Sequence, residues 1–240
     1  MPPPFASWHV ATSGDYTADG DYSGRRDPSD VGHGVVFEPL GVGELTYPRL
    51  DTSLVRESPD SSTRLVGAVV SRVVDPGNGT WVHVWAPVPL TPNRVEFAYE
   101  ESGIPFDSVD TSGRWRRVIL GFTKTGEPWK GWLLLTAPRL RDTTWRELFR
   151  DNMLNVRDYD GTTFHTEPDG PVVTTAKALA KGGFDVTSVE LRGEWIKVKV
   201  EHPGESCAGD LPKNRKADYW WIRGFDGAGR PKVFIYPRGC

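Results

Sequence analysis

One short phrase recurs three times in this chain. It reads Gly79-Thr80-Trp81-Val82-His83-Val84, then Gly113-Arg114-Trp115-Arg116-Arg117-Val118, then Gly193-Glu194-Trp195-Ile196-Lys197-Val198. The shared pattern is Gly-x-Trp-x-x-Val, and each copy opens a strand-like run. A tryptophan at the same place in successive hairpins is a packing device, because one large ring fills one side of a small core. The repeat therefore constrains the chain to small β-units strung in series. It says nothing about what they bind.

Composition agrees with that reading. A chain of 240 residues suits one large β domain or two to four small ones. Gly 26 and Pro 20 fit a loop-rich β protein better than a helical one, and Trp 10 points to aromatic cores. The 29 basic and 32 acidic side chains leave a net charge of −3, which removes any general electrostatic case for nucleic acid or an anionic membrane. No apolar run approaches the roughly 20 residues that a membrane-spanning helix needs.

Four segments follow from the pattern. Residues 1–44 form an acidic, Gly-rich N-terminal arm: Asp15, Asp19, Asp21, Asp27 and Asp30 alternate with glycines, and apolar residues gather first at Val35-Val36-Phe37. The Asp spacing does not match an EF-hand, and no closing Glu follows. Residues 45–92 form a first β-unit, with Thr52 to Glu57 alternating, a turn at Ser58-Pro59-Asp60 and a hairpin at Pro76-Gly77-Asn78-Gly79. Asn78-Gly79-Thr80 is also a glycosylation sequon, read here as turn chemistry. Residues 93–151 form a second unit. It turns at Asp110-Thr111-Ser112-Gly113 and ends in a short helix from Thr144 to Asp151, where Thr144 and Glu147 make a capping box. Residues 152–240 form a third unit. In it Thr174 to Lys181 reads as strand by register with the other units, although Gly182-Gly183 would also close a helix.

The order of these pieces resembles the bacterial SH3-like (SH3b) fold. Leu54-Val55-Arg56 resembles its first strand. Gly113-Arg114-Trp115-Arg116-Arg117-Val118 with Gly131-Trp132-Leu133, and Gly193-Glu194-Trp195-Ile196-Lys197-Val198 with Trp221-Ile222-Arg223, resemble its last two. Phe97-Ala98-Tyr99-Glu100 is similar to a strand of eukaryotic SH3 domains. The first unit departs from the pattern: Pro87, Pro89 and Pro92 follow its tryptophan strand where a closing Gly-Trp strand belongs. It is then either an incomplete barrel or one that shares a strand with the second unit. The resemblance implies an all-β protein of tandem small SH3-like barrels. It also implies a non-enzymatic interaction protein whose partner is cell-wall peptidoglycan or a peptide segment of another protein.

Neighbouring tryptophans narrow the site. Alternate side chains of a strand face opposite ways, so Trp220 and Trp221 cannot both point inward. A ring that leaves the core is either covered by a neighbouring module or serves as a ligand platform. The candidate ligand-binding residues are Trp129, Trp132, Tyr219 and Trp220.

Catalytic signatures are sparse. The histidines His9, His33, His83, His165 and His202 stand one per segment, without HExxH or HxH spacing, so no metal site is expected. No Walker loop or dinucleotide fingerprint occurs, and no cofactor is expected. The alternative is a cell-wall hydrolase resembling cysteine peptidases, with Cys207 and His202 as its reactive pair. Cys207 and Cys240 are better read as a disulfide that pins the C-terminus. Such a bond closes a loop of roughly 30 residues, contributes about 3–4 kcal/mol and belongs in an oxidising compartment. The opening Met1-Pro2-Pro3-Pro4-Phe5 reads as a mature Pro-rich start, with any signal peptide removed. The expected location is therefore periplasmic or secreted.

Overall fold

A computed structural model describes residues 8–11, 32–37, 51–73, 80–93, 95–98, 101–135, 140–156, 160–202 and 216–235. The described residues are mostly β, as the repeats predict. They fall into two compact units, Met1–Thr144 and Trp145–Cys240. Cys207, Cys240, the Pro76-Gly77-Asn78-Gly79 turn, most of the acidic arm and the Tyr99-Glu100 pair lie outside the described residues.

The first unit carries β1 (His9–Ala11), β2 (Gly34–Phe37), β3 (Asp51–Arg56), β4 (Leu65–Val73), β5 (Thr80–Ala86), β6 (Thr91–Pro92), β7 (Val95–Ala98), β8 (Glu101–Val109), β9 (Trp115–Phe122), β10 (Pro128–Leu134) and β11 (Arg141–Thr144). All eleven join one sheet, whose main path runs β1-β5-β4-β3-β10-β9-β8-β2-β11. The sheet curls into a half-barrel, and β5 meets β8 in parallel through Thr80 and Glu101.

The strands expected in the separate segments 45–92 and 93–151 thus belong to one sheet. Val55 and Arg56 of β3 pair with Leu133 and Trp132 of β10. An unpaired strand edge exposes a row of backbone donors and acceptors, and β10 satisfies that of β3. Part of the expected arm is also structural. Val35 and Val36 of β2 are buried between β8 and β11. Val36, Val55, Val66, Val69, Val84, Ile104, Val118, Leu120 and Leu133 share one apolar core, in which a bulge at Val66 lets it join Val69 although alternation would separate them.

The second unit contains α1 (Trp145–Leu148), β12 (Leu154–Asn155), β13 (Thr163–His165), β14 (Val172–Thr175), α2 (Ala176–Ala180), β15 (Asp185–Arg192), β16 (Trp195–His202), β17 (Lys216–Arg223) and β18 (Phe234–Ile235). Five strands form a sheet in the order β14-β13-β17-β16-β15, and β12 pairs with β18. The short helix predicted after Thr144 is α1, with Trp145 and Phe149 buried.

The strand predicted over Thr174 to Lys181 is corrected. It ends at Thr175, and α2 begins there. Thr175 keeps extended backbone (φ −119°, ψ 155°) and its Oγ1 accepts the Ala178 N–H at 3.2 Å. That cap, followed by Ala-Lys-Ala-Leu-Ala, favours a helix. Gly183 (φ 70°) follows it in the left-handed region.

Two repeat tryptophans open strands as expected: Trp115 starts β9 and Trp195 starts β16, and both are buried. The turns before and between strands use carboxylates. Asp110 Oδ1 accepts the Trp115 N–H at 2.8 Å, and Gly113 takes φ 71° beside it. Asp226 Oδ1 accepts the N–H groups of Ala228 and Arg230. Both carboxyls are held below the usual range. Burial works against their charge, but the turn's hydrogen bonds outweigh it.

Candidate functional site

Tyr219, Trp220 and Trp221 are consecutive on β17, so their side chains alternate across the second unit's sheet. Ile196, Val198 and Val200 of β16 are fully buried and pair with Ile222, Trp220 and Asp218. That register turns Trp220 to the core face. Its ring meets the buried Phe164 ring edge-on, with centroids 5.7 Å apart. The ring that leaves the core face is Trp221, which pairs with Lys197 on one side and His165 on the other.

Trp221 nevertheless stays largely covered. The Arg192 guanidinium lies 4.9 Å from its ring centroid and the Lys197 ammonium 6.0 Å. Cations over an indole face are attracted by its quadrupole. On the same face His165 meets Trp195 edge-on at 5.0 Å, and its ring nitrogens engage Thr163 Oγ1 and the Gly170 carbonyl. Arg192 pairs with Glu190, Lys199 with Glu201 and Arg223 with Glu194. Tyr219, opposite Lys199, is 54% exposed and is the accessible ring of this strand.

The other two predicted residues lie on β10 of the first unit. Trp129 is an anchor. Its Nε1 donates to the Val66 carbonyl at 2.9 Å, and its ring packs against the apolar core. Trp132 is half-buried and stands between Arg56 on β3 and Arg117 on β9. The two differ by an odd number of positions on one strand, so Trp129 shares the core face with Gly131 and Leu133 while Trp132 faces the other way. The four predicted residues therefore divide into two pairs, one in each unit.

Sequence reasoning missed two arrangements. One is the cation-covered Trp221. Its signal was the alternation of Ile196, Val198 and Val200, which leaves Lys197 on the opposite face. The other is Asp107, at a bulge of β8, whose Oδ1 binds Arg117 and Oδ2 binds Lys130, each at 2.7 Å. No spacing rule in the sequence joins those three residues.

Burial works to raise the Asp107 carboxyl, but the hydrogen bonds and charges of Arg117 and Lys130 hold it below the ordinary carboxylate range. A carboxyl with a lowered folded value binds fewer protons than in the unfolded chain. Its stabilisation is complete above the unfolded value near ~4 and is lost as the pH falls through the folded value. We expect the urea midpoint to fall on acidification below about pH 4. The fall should be shallower in Asp107→Asn, and identical acid profiles for the two proteins would refute the assignment.

Among the described residues no group of three or more His, Cys, Asp and Glu is placed to hold a metal ion. No helix among them is long and apolar enough to cross a membrane. His202 Nε2 lies 3.0 Å from Asp218 Oδ2, with Lys216 at 3.3 Å from the same oxygen. No family model, curated protein or solved structure matches this chain.

Proposed function

We propose that the chain is a non-enzymatic interaction protein, built from SH3-like β-modules, that recognises cell-wall peptidoglycan or a peptide segment of a partner. The observation that supports a ligand platform is the exposure of Tyr219 on a strand whose other two aromatic rings are engaged. A flat ring beside Lys199 offers contact area at low entropy cost to a sugar or an extended peptide. An exported location, with Cys207 bonded to Cys240, accompanies this reading. Two free thiols counted under denaturing, non-reducing conditions would exclude the bond. The test of function is retention on purified sacculi and on immobilised peptides. Tyr219→Ala should weaken retention roughly tenfold, about 1.4 kcal/mol, without shifting the melting temperature. Undiminished binding by this variant would remove Tyr219 from the site.

The His202–Asp218 pair favours one second reading, a cell-wall hydrolase in which Cys207 is the nucleophile and His202 its base. Muropeptide release that disappears in Cys207→Ser would establish it. Binding without turnover supports the interaction protein.

A further inference from the structure

We propose that Arg56, Trp132 and Arg117 form a docking row for an acidic peptide in polyproline II conformation, with carboxylates three residues apart. The inference rests on reading the chain as a binding protein, and it names the chemistry of the partner. Register sets the row: Trp132 of β10 lies opposite Arg56 on one side and Arg117 on the other, so the three side chains share a face. Lys130 is two residues along β10 and falls on that face as well.

The charge balance selects the ligand. Three cations, Arg56, Arg117 and Lys130, stand against two carboxylates: Asp107, whose two oxygens are taken by Arg117 and Lys130, and Asp60, whose charge acts on Arg56. Two further acids are engaged with other cations, Glu57 with Arg64 and Asp142 with Arg116. The row therefore keeps an excess of positive charge. Arg117 gives Nε to Asp107, and its side chain is 42% exposed, leaving the terminal guanidinium donors to a ligand. Arg56 gives Nη1 to the Thr63 carbonyl at 2.7 Å, which orients the group and leaves donors over.

Spacing narrows the partner further. Adjacent strands lie about 4.8 Å apart, so the two arginine backbones stand roughly 10 Å apart across Trp132. A polyproline II chain repeats every three residues and rises about 3.1 Å per residue, so carboxylates three residues apart lie on one side of it and span roughly 9 Å. A peptide crossing the strands sets one carboxylate on each guanidinium and lays its intervening residues on the indole. Arginine–carboxylate contacts of this kind are among the stronger hydrogen bonds available at a surface.

The experiment titrates the full chain into a fluorescein-labelled Gly/Ser peptide of about 12 residues with Glu at every third position, read by anisotropy. Saturable binding is expected, weakening as salt rises from about 50 to about 300 mM. It should disappear when Gln replaces Glu. It should fall at least about tenfold in Arg56→Gln and in Arg117→Gln. Arg117→Gln also releases Asp107, so Arg56→Gln, which leaves the Asp107 pairs intact, is the decisive variant, and its melting temperature should match the parent. The proposal is overturned by equal binding of the Gln peptide, by unchanged affinity in Arg56→Gln, by no binding at about 1 mM, or by tighter binding of oligo-dT of similar length. Sacculus retention through Tyr219 is a separate measurement on the other unit, so its failure would leave this result standing.

Discussion

Phe149→Ala is expected to cost about 3–5 kcal/mol of stability. Phe149 is fully buried just beyond α1, and its N–H donates to the Trp145 carbonyl at 2.9 Å. Its ring lies 6.1 Å from that of Trp145 and 5.4 Å from that of Phe225. The opposite partner of Phe225 is the Arg146 guanidinium, 4.4 Å from its centroid. Removing the Phe149 ring leaves a cavity that these neighbours cannot fill, because Trp145 and Phe225 are each tied to other groups. Urea unfolding of the full chain, followed by tryptophan fluorescence, measures the loss. A change under about 1 kcal/mol would show that the site collapses freely and that the ring is not central to the second unit.

Gly131→Ala should destabilise the protein by about 1–3 kcal/mol, against the usual sign. Within a strand, replacing glycine by alanine ordinarily stabilises, by roughly 0.5–1 kcal/mol, because the unfolded chain loses freedom. Here a new Cβ would lie 2.5 Å from Val55 Cγ1, 2.5 Å from Val66 Cγ2 and 2.9 Å from the Arg56 carbonyl oxygen. Both valines are buried, and the carbonyl belongs to the paired strand β3. The glycine that precedes Trp132 in the sequence motif thus has a steric reason for its place: it lets β3 and β10 approach over the core. An increase in the urea midpoint of Gly131→Ala would contradict this account.

The sequence disclosed what is local. Trp115 and Trp195 open strands where the repeat placed them, and Asp110 builds the turn expected before Trp115. A short helix at Trp145 was legible, but it spans Trp145–Leu148 rather than Thr144 to Asp151, and Thr144 belongs to β11. Thr174 to Lys181 misled because one residue, Thr175, ends a strand and caps a helix at once. Partnership between distant strands was not legible: nothing near Val55 points to Leu133, and that pairing merges two expected modules into one sheet. The candidate site followed the same divide. Alternation alone showed that either Trp220 or Trp221 must leave the core face. Only the register with Ile196 and Val198 decides that Trp220 turns inward and Trp221 outward under Arg192 and Lys197. Trp129 and Trp132, three residues apart on β10, fall on opposite faces by alternation, and only the pairing with β3 and β9 shows that one takes the core and the other a pair of arginines.

The β3–β10 junction also has a meaning in time. β3, β4 and β5 follow one another as antiparallel neighbours, and so do β8, β9 and β10; each trio needs only short chain closures. The seam between the trios joins residues roughly 80 positions apart, the kind of contact whose entropy must be met before it stabilises anything. Contact order therefore favours closure of the two hairpin trios before that of the seam. Until it closes, each trio carries an open strand edge available to the same edge of another chain.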